Sequence, residues 1–275
     1  MDIILSTSIS LGAIALVAGI VLFVASKKFA VIENPLIDEV EELLPGANCG
    51  GCGYAGCRAF AEAFVNTKDT DLTCPPGGSE VMEAIAAKVG IEMGAAVRMV
   101  ARVNCQGGNH SKREGDYEGI RTCSAAVISN NVSLVCPHGC MGYGDCLRAC
   151  PFDAISIIND IAVVDEDKCV GCSVCVKTCP RKLIEMTQYD KRVYVACNSP
   201  DKGPQVKKYC SVGCIGCKLC DRACEFEAIK YKPFLAAVNA EKCTECMACV
   251  EKCPAKTILF RGDDACAIKP QEKTS

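Results

Sequence analysis

The sequence predicts an α+β protein: an N-terminal transmembrane helix, a small helical domain built around one group of cysteines, and two tandem cysteine-rich modules. Three observations carry this reading. Ile3 to Ser26 holds no charged residue. Cys49, Cys52, Cys57 and Cys74 follow in a glycine-rich setting. From Cys123 onward the chain repeats itself at an offset of 74 residues.

The totals exclude several classes. The chain has 275 residues and 25 cysteines, well above ordinary usage. A secreted disulfide scaffold is one source of such a number. Disulfide frameworks scatter their cysteines, however, and here they recur at gaps of two and three, which suits one metal centre per group of thiolates. There is no Trp, and His110 and His138 are the only histidines, so haem and His-rich sites have little to work with. A net charge of −3 gives no basic surface for nucleic acid.

Residues 1–28 read as the anchor. The uncharged run is long enough to cross a bilayer as a helix. Lys27 and Lys28 close it, which by the positive-inside rule places the remaining chain in the cytoplasm. A cleaved signal peptide is the alternative. Against it stand an acidic Asp2, the lack of an A-x-A site and an apolar run that is too long. Cytoplasmic thiols stay reduced, which favours ligation over disulfides.

Residues 29–92 form the next unit. Ile32 to Leu44 reads as a short acidic linker. GANCGGCGYAGCRAFAEAF and Cys74-Pro75 give the spacing C-x2-C-x4-C-x16-C. Gly50, Gly51, Gly53 and Gly56 let the backbone wrap closely around a cluster. Phe60 and Phe64 mark one helix and Glu80 to Val89 a second. Four cysteines also suit structural zinc; the glycine-rich loop and its neighbours point to a [4Fe–4S] cluster. Residues 93–134 connect this unit to the next, with a strand expected to run into Cys105 and a polar loop, NHSKREGDYEG, after it.

Residues 123–196 and 197–270 align without a gap. Cysteines 123/197, 136/210, 140/214, 146/220, 150/224, 169/243, 172/246, 175/249 and 179/253 coincide, which marks a duplication. Each copy contains KCVGCSVCVKTCP or KCTECMACVEKCP. That C-x2-C-x2-C-x3-C-P run is the one found in bacterial-type two-cluster ferredoxins, whose fourth cysteine ligates the other cluster. The apolar pieces between the half-motifs read as hairpins, Asn159-Asp160 being one turn. The expected modules are 135–196 and 197–265, both ferredoxin-like with two [4Fe–4S] clusters, followed by a tail at 266–275. Such thin cores draw part of their folding energy from the bound clusters.

The ligand sets follow from the motifs. Cys214, Cys217, Cys220 and Cys253 hold one cluster, and Cys224, Cys243, Cys246 and Cys249 another. Cys150, Cys169, Cys172 and Cys175 hold a third. Cys49, Cys52, Cys57 and Cys74 hold a fourth. Cys140, Cys146 and Cys179 are one ligand short, because Tyr143 stands where the second copy has Cys217. The expected replacement is Cys136, four residues before Cys140. The alternative leaves Cys136 as a buried spare and the site with three irons or none. Five clusters on twenty cysteines result. Cys105, Cys123, Cys197 and Cys210 suffice in number for a sixth, or are inert buried thiols; Cys266 is a bystander.

A row of clusters offers stepping stones for single electrons, each tuned by hydrogen bonds to sulfur, nearby charge and exposure. Glu225 replaces the usual proline after Cys224, and its carboxylate is expected to lower that cluster's potential. There is no G-x-G-x-x-G after a strand, no catalytic residue and no small-molecule substrate site, so the chain is expected to work within a larger complex. Lys191, Arg192, Lys202, Lys207 and Lys208 offer a basic face for an acidic ferredoxin, or are only a solvated surface.

The uncharged helix, then ANCGGCGYAGC with Cys74-Pro75, then tandem ferredoxin motifs, resembles the B subunit of the Rnf complex over nearly the whole chain. CPHGCMGYGDCLRACPFDAI and DKGPQVKKYCSVGCIGCKLC resemble its longer, cluster-rich form. The resemblance implies an inner-membrane, single-pass subunit that takes electrons from reduced ferredoxin on the cytoplasmic side. It passes them to partner subunits, one of which reduces NAD+, with coupling to Na+ or H+ transport. It also implies that Cys49, Cys52, Cys57 and Cys74 carry the cluster nearest the membrane. Three rivals remain: a donor that keeps an iron–sulfur transcription regulator reduced, the iron–sulfur subunit of another membrane oxidoreductase, and a zinc-bound interaction module.

Overall fold

The computed structural model describes residues 2–28, 34–94, 97–115, 117–129 and 133–261. Cys266 lies outside them. Helix α1 spans Asp2–Lys28. Its stretch Thr7–Lys28 has a mean hydropathy of 2.5 and none of it is buried, so it is long and apolar enough to cross a membrane.

The segment expected as a linker is a helix, α2, Pro35–Leu43. Asn34 caps it by accepting from Leu36 N–H, and Pro35 opens it, a position where its missing N–H costs nothing. Ile37 and Val40 are buried, spaced to face α3, Cys57–Thr67, and α4, Gly78–Val89. Phe60 and Phe64 stack at the centre, ring centroids 5.8 Å apart, and both are fully buried. Arg58 ties α3 to α2 through Asp38 and Glu41 at 3.0 and 2.8 Å. These pairs are exposed and contribute little; the apolar core holds the unit.

The remainder shows the duplication in three dimensions. Hairpin β2–β3, Ile155–Ile158 and Ile161–Val164, recurs as β6–β7, Ile229–Lys232 and Leu235–Val238. Asn159 and Asp160 both have positive φ, 50° and 62°, as a two-residue type I′ turn requires. Short helices α6, Asp145–Ala149, and α7, Val174–Thr178, recur as α9, Leu219–Arg222, and α10, Ala248–Glu251. Strand β4, Ile184–Gln188, recurs as β8, Ile258–Phe260.

Each of these last strands takes an antiparallel partner from the preceding chain. β1, Met99–Val103, pairs with β4 through Val103↔Ile184. β5, Val193–Val195, pairs with β8 through Val195↔Ile258. Ile184 and Ile258 are one repeat apart, so β1 and β5 are structural counterparts. Two further α-helices stand among the described residues: α5, Cys123–Ile128, in the connecting segment, and α8, Gly203–Tyr209.

A charged seam joins the copies. Arg102 on β1, only 4% exposed, pairs with Glu166 at 3.4 Å and donates to Lys191 O at 2.8 Å. Arg261 also binds Glu166. Arg98 and Arg261 each lie 4.0 Å from the centroid of the Tyr189 ring. Removing the Glu166 carboxylate would leave a buried guanidinium uncompensated, a loss of about 3–5 kcal/mol.

Candidate iron–sulfur sites

Six groups of thiols can be followed along the molecule. In the N-terminal unit, Cys49, Cys52, Cys57 and Cys74 line one small cavity with Leu44, Phe60 and Pro76. Asn48 Oδ1 accepts from Cys57 N–H at 2.8 Å and pins the start of α3 beside it.

Gly51 of this loop touches the first copy. A Cβ at residue 51 would sit 2.9 Å from both Cα and O of Cys172, so only glycine fits. Cys172 in turn faces Cys49, Cys150 and Cys169, and Cys175 faces Cys169, Cys172 and Cys150. Burial first, and the neighbouring thiols second, push the Cys175 thiol up to about 11. Ala101 N–H donates to Cys169 Sγ at 3.4 Å, a bond that stabilises a charged sulfur.

A residue the sequence pattern did not single out stands at the gapped site. Cys123 joins Cys140, Cys146 and Cys179 around one cavity. Burial, and then Cys140, Cys123 and Cys179, push the Cys146 thiol up to about 12. The expectation that Cys136 fills this place is corrected: the structure puts Cys136 with Cys105, Cys197 and Cys210. Cys123 therefore also leaves the group of spare cysteines in which it was placed.

The physical reason lies in an insertion. Cys105 to Cys136 is a longer stretch than its counterpart, Cys197 to Cys210, and the extra chain carries α5. Thr122 caps α5 by accepting from Ala125 N–H at 3.1 Å. Asp145 holds its first turn, accepting from Cys123 N–H at 2.9 Å and from Ser124 N–H and Oγ at 3.0 and 2.8 Å. Tyr143, in place of a ligand, packs its ring 5.4 Å from that of Tyr117, which belongs to the same insertion.

Burial opposes ionisation of Asp145, but the Ser124 and Cys123 hydrogen bonds outweigh it and hold the carboxyl below its ordinary range. Its contribution to stability is present above the unfolded-state pKa, about 3.9, and is lost as pH falls through the lower folded value. Asp145→Ala should therefore loosen α5 and lower the iron content of this site alone at neutral pH. Iron content per chain checks this; retention of all iron by Asp145→Ala would show that α5 is held by other means.

In the second copy Cys220 faces Cys214 and Cys253, and Tyr231 Oη lies 3.1 Å from Cys220 Sγ. Cys217 sits on the loop between Cys214 and Cys220. Gly216, φ +65°, would bring a Cβ to 2.7 Å from Phe234 O, so the loop lies directly on the hairpin turn. Cys224, Cys243, Cys246 and Cys249 line the last cavity with Phe226 and Met247. Cys246 is the exposed thiol among those of the described residues. Glu225 is exposed, so water screens its carboxylate and weakens the expected lowering of potential.

The donor chemistry fits iron–sulfur clusters. Backbone N–H groups aim at ligand sulfurs in a repeated way: Leu183 to Cys179 (3.4 Å), Ala228 to Cys224 (3.4 Å) and Thr257 to Cys253 (3.3 Å). Among the described residues no three His, Cys, Asp or Glu side chains converge on a point as a single metal ion needs. Zinc gathers four sulfurs at about 2.3 Å from one ion; a cubane's irons each take one thiolate around a larger body.

Comparison with known proteins agrees. Residues 44–76 match the family described as "Putative Fe-S cluster", and residues 138–183 and 213–258 each match a "4Fe-4S dicluster domain". The B subunit of the ion-translocating oxidoreductase complex of Methanosarcina acetivorans is 43% identical over 264 residues, 95% of this chain and all of the relative. The B subunit of the Na+-translocating ferredoxin:NAD+ oxidoreductase complex of Acetobacterium woodii is 40% identical, over 90% of this chain and 75% of its own length. The B subunit of the proton-translocating ferredoxin:NAD+ oxidoreductase complex of Clostridium ljungdahlii is 39% identical, over 91% of each chain. With whole-length identity of this order and the same succession of cluster domains, the chain belongs to the family of B subunits of ion-translocating (Rnf) oxidoreductase complexes.

Proposed function

We propose that this protein carries electrons from reduced ferredoxin to the other subunits of a membrane complex that reduces NAD+ and moves Na+ or H+. Bound [4Fe–4S] clusters supply one-electron uptake and release; the chain's residues fix their sites, spacing and surroundings. The observation that carries the reading is the succession of thiol groups along the chain. Cys246, in the last of them, is exposed, where a soluble donor has access. The Cys49–Cys74 unit follows α1 in the chain and touches Cys172 through Gly51.

In this reading residues 1–28 are the anchor, 29–92 the membrane-proximal unit, and 135–196 and 197–265 the two ferredoxin-like modules. Lys27 and Lys28 at the end of α1 keep these units on the cytoplasmic side. Each electron enters at the Cys224/Cys243/Cys246/Cys249 site and leaves at the Cys49/Cys52/Cys57/Cys74 site, so none accumulates on the chain.

The test uses membrane vesicles from a strain lacking this protein and from the complemented strain. Reduced ferredoxin should drive NAD+ reduction and ion uptake only in the complemented vesicles. Undiminished ferredoxin-driven uptake without the protein would overturn the proposal and leave maintenance of a reduced regulator as the better reading.

A further inference from the structure

The five cysteines Cys105, Cys123, Cys136, Cys197 and Cys210 lie outside all three segments matched by iron–sulfur families. Cys123 is absorbed by the gapped site. The other four line a single cavity, together with His138, Ser199, Val206 and Tyr209. We propose that Cys105, Cys136, Cys197 and Cys210 hold a further [4Fe–4S] cluster, which joins the two ferredoxin-like halves.

The chain builds this site symmetrically. Cys105 lies two residues beyond β1, and Cys197 two residues beyond β5. Because β1 and β5 are counterparts, so are these cysteines. The backbone agrees: Asn104 N–H donates to Leu183 O and Ala196 N–H to Thr257 O, both at 2.8 Å. Cys136 and Cys210 are counterparts at the ordinary repeat of 74 residues. Each half therefore contributes one cysteine after its first strand and one before its first cluster loop.

Local bonds bring the halves together. Ser111 bridges to Cys210 and Arg113 to Leu134. Lys112 N–H donates to Tyr209 O at 2.8 Å, and Lys112 O accepts from Val135 N–H at 3.0 Å. One short segment thus runs between the two chain stretches that carry Cys136 and Cys210. Gln106 N–H donates to Ala196 O at 3.2 Å, which draws Cys105 to Cys197. Leu134, Val206 and Tyr209 close the cavity as a small buried core with Cys136 and Cys210.

Two features of the surroundings call for a charged group there. Cys105 Sγ accepts from Cys140 N–H at 3.3 Å and Gly107 N–H at 3.4 Å, the treatment other ligand sulfurs receive. Arg181 is half-buried and donates to Cys136 O at 3.0 Å and Gly139 O at 2.7 Å. Its neighbours include Cys136, Cys140, Cys105 and Cys123, and among the described residues no carboxylate pairs with it. A cation so placed needs anionic partners, and two cysteine sites, one on either side, provide them.

The position also says what the site does. Cys105 touches the backbone of Cys140, a ligand of the first module. The Cys197 sulfur accepts from the backbone of Cys214, a ligand of the second. Cys105, Cys136, Cys197 and Cys210 would thus hold a cluster between the ligands of the two modules, and that cluster would supply one-electron uptake from the second module and release to the first. This joining role rests on the direction of flow proposed above; the site itself does not.

The full-length protein, prepared anaerobically in detergent, decides both. Iron and acid-labile sulfide should each reach about 24 per chain. About 20, or 20 with one zinc, would overturn the site even if no variant folds. The double variant Cys197→Ala/Cys210→Ala should lose about four irons. With reduced ferredoxin, it should show fast reduction of the second module only, the remaining clusters slowing at least tenfold, while dithionite reduces them all. Equally fast ferredoxin reduction of every remaining cluster would overturn the joining role. If ferredoxin reduced neither wild type nor variant, the donor assignment would fail while the iron count still judged the site.

Discussion

Alanine at Cys123 should strip the gapped site of a ligand that no neighbouring thiol can replace. Cys140, Cys146 and Cys179 would remain around the cavity, and Tyr143 offers no sulfur. The expected outcome is loss of one iron, with a three-iron EPR signal, or of about four irons if the cluster is released. Structural loss should be modest, because α5 keeps its Thr122 cap and its Asp145 bonds through the backbone. The decisive variant adds Tyr143→Cys, which recreates the ligand that the second copy has at Cys217. Cys123→Ala/Tyr143→Cys should recover a four-iron signal, whereas Tyr143→Cys should not rescue Cys136→Ala, whose loss falls on a different site. Rescue of Cys136→Ala instead would restore the assignment read from the sequence.

That assignment shows where sequence reading reaches its limit. Both hairpins, the strand before Cys105 and the Asn159-Asp160 turn are legible, because each is set by local spacing or turn chemistry. Cys123 is not. At an offset of 74 residues it aligns with Cys197, which suggests counterparts. Strand pairing shows that Cys105 holds that place instead, since β1 and β5 meet equivalent residues of β4 and β8. An insertion has shifted the correspondence, and an ungapped alignment absorbs such a shift without warning. The signal available is the unequal distance from Cys105 to Cys136 and from Cys197 to Cys210.

Helix α2 escapes the sequence reading for a different reason. Its acidic composition reads as linker, yet Asn34-Pro35 is a helix start, and Ile37, Val40 and Leu44 lie one turn apart on one face. All three are buried. The grouping of Cys136 with Cys210 is beyond any local rule, because it depends on the segment around Lys112 crossing between two distant stretches of chain.

Valine at Gly51 should interrupt electron flow while leaving every cluster in place. Gly51 does not need an unusual backbone angle; it needs the space. Even a single methyl there would meet the Cys172 backbone at 2.9 Å, and backbone cannot swing aside as the end of a side chain does. The loop bearing Cys49 and Cys52 must therefore move away from the loop bearing Cys172. The ligands on each side stay attached to their own units, so iron content should be unchanged. The rate across the junction should fall severalfold, because tunnelling decays exponentially with separation. Clusters of both modules should still be reduced by ferredoxin at the wild-type rate, with NAD+ reduction by the whole complex slowed severalfold. Gly94→Val is the matched control, since a Cβ there meets nothing within 4 Å. Full NAD+ reduction by Gly51→Val would mean that electrons leave the first module by another exit, and that the contact between Gly51 and Cys172 only packs the two units together.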